Sequence, residues 1–222
     1  LQNGVVSGTV YLDTNGNGIK DDGENGISGV TVKAVDADGR EYTEQTTDAN
    51  GQYYFKSLPG NKAVTITVIN PGSTDPSQTN AYRFSKTVAS TEGQVGSDVT
   101  PNENHQSASK ENVSLSGGAA TVNAGLIKPC TVTFSGGEKG SVSPGTVKIF
   151  PGQTLEDVLN QAPSDTPISG HKHTGWYRGT ETTLITNEQL LEQTIRGDTT
   201  FTAQYSTLYT VTVEGSHAAT SG

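Results

Sequence analysis

The 222 residues leave room for one large or two ordinary domains, and a hydrophobic content of 31% with 27 glycines suits thin-cored, turn-rich β modules. A net charge of −9 disfavours nucleic acid or an anionic membrane surface as partner, and no apolar run approaches the length of a membrane span. The single cysteine, Cys130, excludes a disulfide within the chain.

The first element, Val5-Val6-Ser7-Gly8-Thr9-Val10-Tyr11-Leu12, is β-branched and alternating and reads as a strand. It runs into Asp13-Thr14-Asn15-Gly16-Asn17-Gly18-Ile19-Lys20-Asp21-Asp22-Gly23-Glu24, which fits D-x-[DN]-x-[DN]-G-x5-E at every defined position. That pattern places oxygens at loop positions 1, 3, 5, 7, 9 and 12, where they can wrap a calcium ion at about 2.3–2.6 Å. The expected ligands are Asp13, Asn15, Asn17, the backbone carbonyl of Ile19, Asp21, and Glu24 with both carboxylate oxygens. Gly18 falls at position 6, where the chain turns sharply and a Cβ is unfavourable. The competing explanation is a metal-free polar turn, which Asn, Asp and Gly also form. Gly29 to Val35 follows as a second strand, so no helix flanks the loop on either side. A calcium loop between two strands is expected to act as a structural pin rather than a sensor, because there is no helix pair to open.

Asp36-Ala37-Asp38-Gly39 signals a hairpin, and Arg40 to Thr46 is expected to return as a strand. Asp48-Ala49-Asn50-Gly51 turns into Gln52-Tyr53-Tyr54-Phe55, a strand expected to point one aromatic inward. After the turn Leu58-Pro59-Gly60-Asn61, Ala63 to Ile69 alternates clearly. Asn70 to Asn80 reads as loop, Ala81 to Val88 as strand and Thr91 to Lys110 as polar loop. Asn112-Val113-Ser114-Leu115 and Thr121 to Leu126 are expected to close the unit, with a boundary at Ile127-Lys128-Pro129. Strands at this spacing indicate a sandwich. Asp48 and Asp98 are candidates for a second calcium, weighed against the role of turn-stabilising aspartates.

Gly8 to Val32, Thr46 to Phe55 and Ala120 to Leu126 together resemble the calcium-binding B-type repeat of the staphylococcal serine-aspartate adhesins, the SdrD B-like family. The resemblance covers about residues 5–128. It implies a prealbumin/Ig-like β-sandwich stalk module of a bacterial surface protein, stiffened by calcium. The wider collagen-adhesin B-type group often carries a Lys–Asn cross-link from its first strand. Val5 to Leu12 has no lysine, so that property does not carry over.

The second half restarts with Thr131-Val132-Thr133-Phe134 and Thr146 to Phe150 as strands. Thr154 to Leu159 reads as a short helix with a Thr N-cap, and Thr186 to Leu191 as a second one. His173 to Arg178 and Asp198 to Tyr205 are expected strands. Gly175-Trp176-Tyr177 followed by Gly197 to Tyr205 is similar to the Listeria–Bacteroides (internalin B-type) repeat, which implies a small β-grasp-like module over 129–207. Thr210 to Gly215 echoes Thr131 to Gly136, so 208–222 is expected to begin a further, truncated repeat.

Neither a nucleophile elbow nor a phosphate loop is present, and Cys130 lacks a triad context, so an enzyme is not expected. His171 and His173 lack an evident third ligand and read as surface histidines, and Trp176 reads as core. The leading expectation is a calcium-stabilised stalk module of an extracellular, wall-anchored adhesin or pilus-like protein, whose signal and sorting motifs lie outside this stretch. Its partners are neighbouring repeats of the same chain, without nucleic acid or membrane contact. The alternative is an adhesin domain that recognises a host extracellular protein or glycan through the 70–119 loops or the Trp176 region. An exposed aromatic patch favours the alternative, and a buried Trp176 disfavours it.

Overall fold

The computed structural model describes residues 3–211. The start of a further repeat expected beyond Leu208 therefore lies mostly outside the described residues.

The first unit is a mainly β sandwich of two sheets. One has the order β4 (Gln52–Pro59), β1 (Asn3–Leu12), β10 (Ala124–Ile127), β6 (Arg83–Phe84), with β9 (Ala119–Thr121) also on β1. The other has the order β3 (Gln45–Thr46), β2 (Thr31–Asp36), β5 (Val64–Ile69), β8 (Ser107–Val113), β7 (Thr100–Pro101). Alternation along β1, β2 and β5 sends Val6, Val10, Val32, Ala34, Ile66 and Val68 inward, where they meet Phe55, Leu58, Phe84 and Leu126 in one core. β1 runs antiparallel to β4 but parallel to β10, with Val10 opposite Ala124 and Leu12 opposite Leu126.

Several local expectations change. The strand expected over Arg40 to Thr46 shrinks to β3, because Asp36 Oδ1 takes the N–H groups of Asp38 and Arg40 and shapes a wider turn. β4 points two aromatics inward, Tyr53 and Phe55, with Tyr54 outward. It also continues through Leu58, which is fully buried. Of Ala81 to Val88 only Arg83–Phe84 pairs as strand. The polar stretch expected as loop contains β7 and most of β8, whose exposed outer positions hide the strand period.

The second unit has a four-stranded sheet in the order β13 (Thr146–Ile149), β11 (Cys130–Ser135), β16 (Thr199–Thr207), β15 (His171–Arg178), with β11 and β16 parallel at its centre. A parallel central pair of first and last strands, with a helix packed on the sheet, is β-grasp-like. A separate ladder of β12 (Gly140–Ser143) and β14 (Ser164–Pro167) was not foreseen, because both strands are short and mostly polar. The first expected helix is a single 3-10 turn, Leu155–Asp157, and the second is α1 (Asn187–Leu191). Thr186 caps α1 reciprocally with Gln189. Trp176 is fully buried, in a T-shaped contact with Phe134 and with its Nε1 donating to Asn187 Oδ1 at 2.8 Å. His173 is not a surface residue. It lies against Trp176 and Tyr205, with Nδ1 3.6 Å from Asp165.

Candidate metal loop

The loop from Asp13 to Glu24 leaves the end of β1 and is anchored at both ends. Asp13 N–H donates to the Leu126 carbonyl, and Leu12 N–H to the Asn25 carbonyl. Its far side rests on a small hairpin that the sequence shows only as polar chain. Lys20 N–H donates to Val95 O and Ser97 N–H to Gly18 O, both at 2.8 Å, while Val88 N–H reaches Ser97 O. Gly18 is required here twice over. Its φ is +80°, and a Cβ would come within 2.5 Å of the Lys86 carbonyl.

Hydrogen bonds draw the expected ligand residues into one network. Asp13, fully buried, accepts from the N–H groups of Gly16 at 2.7 Å, Asn17 at 3.2 Å and Gly18 at 2.7 Å. Glu24, 6% exposed, accepts from Thr14 N–H at 2.6 Å, Thr14 Oγ1 at 2.8 Å and Asp21 N–H at 3.1 Å. Asp21 Oδ2 accepts the side-chain amides of both Asn15 and Asn17 at 2.7 Å. The three carboxylates are thus not left to repel one another. Each is offset by donors of its own loop, and the Asn15 and Asn17 amide hydrogens bring positive charge to Asp21. Among the described residues no three His, Cys, Asp or Glu side chains converge as a metal-holding group.

The Ile19 carbonyl faces the same interior. Ile19 pairs with Gly96 as an antiparallel bridge whose hydrogen bonds are made by the flanking residues. In that arrangement the residue's own N–H and C=O both turn away from the partner. The N–H donates to Asn17 Oδ1 at 2.7 Å, so the carbonyl shares the side of the ligand residues. The donor set consists of carboxylate, amide and backbone oxygens only, the chemistry a hard cation selects. On donor type the loop fits calcium.

Tyr11 is the participant the sequence hides. It lies one register step off the core face of β1, yet it is fully buried, with its ring close to Gly125. Its Oη donates to Gly18 O at 3.0 Å. Burial first, then the charges of Asp13, Glu24, Asp98 and Asp21, push its phenol well above the ordinary tyrosine value, so it stays a donor.

The two further aspartates do not share a carboxylate cluster. Asp48 is exposed, and its Oδ1 closes its own turn by accepting from Asn50 and Gln52 N–H. Asp98 is buried and acts as a clasp. It accepts from Ser90 N–H at 3.0 Å, Ser90 Oγ at 3.0 Å and Asn123 N–H at 2.8 Å. Asn123 in turn accepts from Thr9 N–H on β1 at 2.9 Å. With its lone pairs so engaged, Asp98 ties the hairpin to the closing strands.

Residues 5–126 match the profile of the SdrD B-like domain. Serine-aspartate repeat-containing protein F of Staphylococcus epidermidis is 43% identical over 72 residues, which is 32% of this chain and 4% of that protein. Serine-aspartate repeat-containing protein D of Staphylococcus aureus is 51% identical over 59 residues, 26% of this chain and again 4% of that protein. The chain therefore spans a small fraction of the relatives it matches. Among solved structures, the shaft pilin SpaA from Lactobacillus rhamnosus GG aligns over 91% of this chain and 98% of its own. The identity there is 12% and the TM-score 0.29. The Bacillus anthracis TIE protein aligns over 92% of this chain and 34% of its own, at 14% identity and a TM-score of 0.28.

Proposed function

This chain belongs to the SdrD B-like domain family, and on that premise we propose that it is a non-enzymatic, calcium-stabilised stalk segment of a bacterial cell-surface adhesin or pilus-like protein. The observation that carries the reading is the loop 13–24: an all-oxygen donor set, hinged on the end of β1 and tied to β10 through Asp13 N–H. In this proposal Asp13, Asn15, Asn17, Asp21 and Glu24 hold the ion with the Ile19 carbonyl. Calcium adds its own charge to three carboxylates that the loop's N–H, hydroxyl and amide donors already gather into one network. The residues around it do the mechanical part: Tyr11 and the hairpin at 88–97 hold Gly18 in place, so fixing the loop fixes the junction of β1 with β10.

The second unit, read as a Listeria–Bacteroides-type repeat over 129–207, extends the stalk, with neighbouring repeats of the same chain as its partners. Of the two regions on which the adhesin alternative rests, the Trp176 region loses its support, because Trp176 is buried and presents no aromatic surface to a glycan.

Isothermal titration with calcium tests the reading. Asp13→Ala and Glu24→Ala are expected to weaken binding far more than Asp22→Ala, and Asp21→Ala to fall between them, because position 10 is not a ligand position and position 9 often acts through water. Each substitution removes one charge, so a diffuse acidic patch predicts equal losses that fade together with salt. A loss for Asp22→Ala as large as that for Glu24→Ala sinks the proposed register.

A further inference from the structure

The cleft where the two units meet carries charge of the wrong sign for this chain. In a molecule of net charge −9, a cleft of about 480 Å³ is lined by Arg83, Lys86, His105 and Arg196, and its lining contains no Asp or Glu. Both units build it. Arg83, Lys86 and His105 come from the sandwich, and Phe150 and Arg196 from the second unit.

Buried side-chain nitrogens and oxygens almost always find a partner. Among the described residues five do not, and three of these belong to residues of this one cleft: Arg83 Nε, Ser85 Oγ and His105 Nδ1. Arg83 and Ser85 are two apart on one extended segment, so their side chains leave the same face. The guanidinium lies over the Phe150 ring at 4.7 Å, which covers a planar face and leaves the donor edge uncommitted. Its nearest acidic influence is Asp157, but that carboxylate is turned to Thr154, accepting from N–H at 2.8 Å and Oγ1 at 3.2 Å. Burial pulls Arg83 below its ordinary value. Burial and then the Arg83 charge do the same to His105, so the imidazole stands neutral beside a fixed cation. Asn70 holds the two segments together, its Nδ2 donating to the carbonyls of Tyr82 at 2.7 Å and His105 at 2.9 Å.

A half-buried guanidinium without a hydrogen-bonded counter-charge carries a desolvation cost that the Phe150 face and the Asp157 charge do not replace with a hydrogen-bond acceptor. A planar fork with its edge free is suited to one chemistry, a bidentate oxyanion. We propose that this interdomain cleft is an oxyanion-binding site, in which Arg83 clamps a carboxylate, sulfate or phosphate group with Ser85 and His105, and Lys86 and Arg196 guard the rim. The site goes beyond the stalk reading and does not depend on calcium.

The test uses the full chain and three probes, inorganic sulfate, inorganic phosphate and acetate, each titrated against chloride at matched ionic strength. Nuclear magnetic resonance follows Arg83 Nε–H and the His105 amide. At least one oxyanion is expected to give saturable shifts. Arg83→Met, which keeps the stem over Phe150, is expected to weaken binding by about tenfold or more, the loss of a charge-assisted hydrogen-bond pair. Arg83→Lys is expected to weaken it as well, because the fork is lost. Lys56→Met, a cation removed from β4 far from the lining, is expected to leave it unchanged. Sulfate preference points to a sulfated polymer, phosphate preference to a phosphate-bearing one, and acetate preference to a peptide or sugar carboxylate. Unchanged amide positions in β2 and β5 of the sandwich show that the variants remain folded. Linear, unsaturable shifts with every probe overturn the proposal. So does binding by Arg83→Lys at wild-type strength, or a loss in Lys56→Met equal to that in Arg83→Met, since either reduces the effect to diffuse charge.

Discussion

The sandwich and the β-grasp-like unit fill their interiors with different materials. Eight polar or charged residues are buried in the described chain, from Asp13 to Asn123, and all belong to the sandwich. The second unit buries none among its described residues and relies on Trp176, Phe134, Phe201 and their aliphatic neighbours. The sandwich must seat long irregular segments on a thin core, and backbone groups in such segments need partners that strands do not supply. Buried carboxylates supply them: Asp13, Asp98 and Asp36 each accept two or more hydrogen bonds at a chain reversal. The smaller unit has shorter connections, and a packed aromatic centre is enough. The sandwich thus rests partly on buried polar groups, and its neighbour on apolar packing.

That contrast can be broken or sharpened experimentally. The largest effect is expected for Trp176→Ala, which should destabilise the second unit by about 3–5 kcal/mol and leave the first transition in place. Scanning calorimetry resolves the two. A joint fall of both transitions means that the contact of Phe150 with Ala81 and Ile127 welds them into one cooperative body. Next in size, calcium at a hundredfold excess over Kd should stabilise the sandwich by about 2.7 kcal/mol relative to chelator, with the second transition unmoved. Identical melting curves with calcium and with chelator remove the loop from the stability of the fold.

Asp98→Ala should cost the sandwich about 2 kcal/mol, because the N–H groups of Ser90 and Asn123 lose their acceptor. Asp98→Asn, which keeps one carbonyl oxygen, should recover part of it in chemical denaturation. The smallest effect belongs to Asp36. Burial raises its pKa, but the N–H of Arg40, the Tyr42 hydroxyl and the N–H of Asp38 outweigh burial and leave it below the ordinary value. Its contribution is then present above the unfolded-state pKa of about 3.9 and is lost as pH falls through the lower folded value. Asp36→Asn should flatten the acid limb of the sandwich's melting temperature against pH and leave the limb of the second unit as it was. An unchanged limb assigns the acid sensitivity elsewhere.

The parts legible in the sequence are those governed by a short period or a fixed spacing. β1, β2 and β5 follow from alternation, and Trp176 from being the largest side chain of its unit. The loop 13–24 is legible because its pattern specifies residue type at several positions. What stays hidden is set by partners remote in sequence. The hairpin at 88–97 looks like polar chain until Val95 and Ser97 meet the loop, and the alternation of β1 does not show that Tyr11 is buried with its Oη on Gly18 O. β8 shows no clear period because only Ala108 and Val113 are buried. Nor can spacing reveal that Asp98 is a clasp, since Asn123 is 25 residues away.

In both units the first and last strands lie side by side and run the same way: β1 with β10, and β11 with β16. A chain pulled at its two ends therefore loads each pair along the strands, in shear. The ladder bonds Val10 to Leu12 and Val132 to Ser135 must then give way together rather than unzip singly. Resistance to tension is a matter of unfolding rate rather than equilibrium stability. On that scale the shared strand direction of the two terminal pairs is what opposes extension of the tandem.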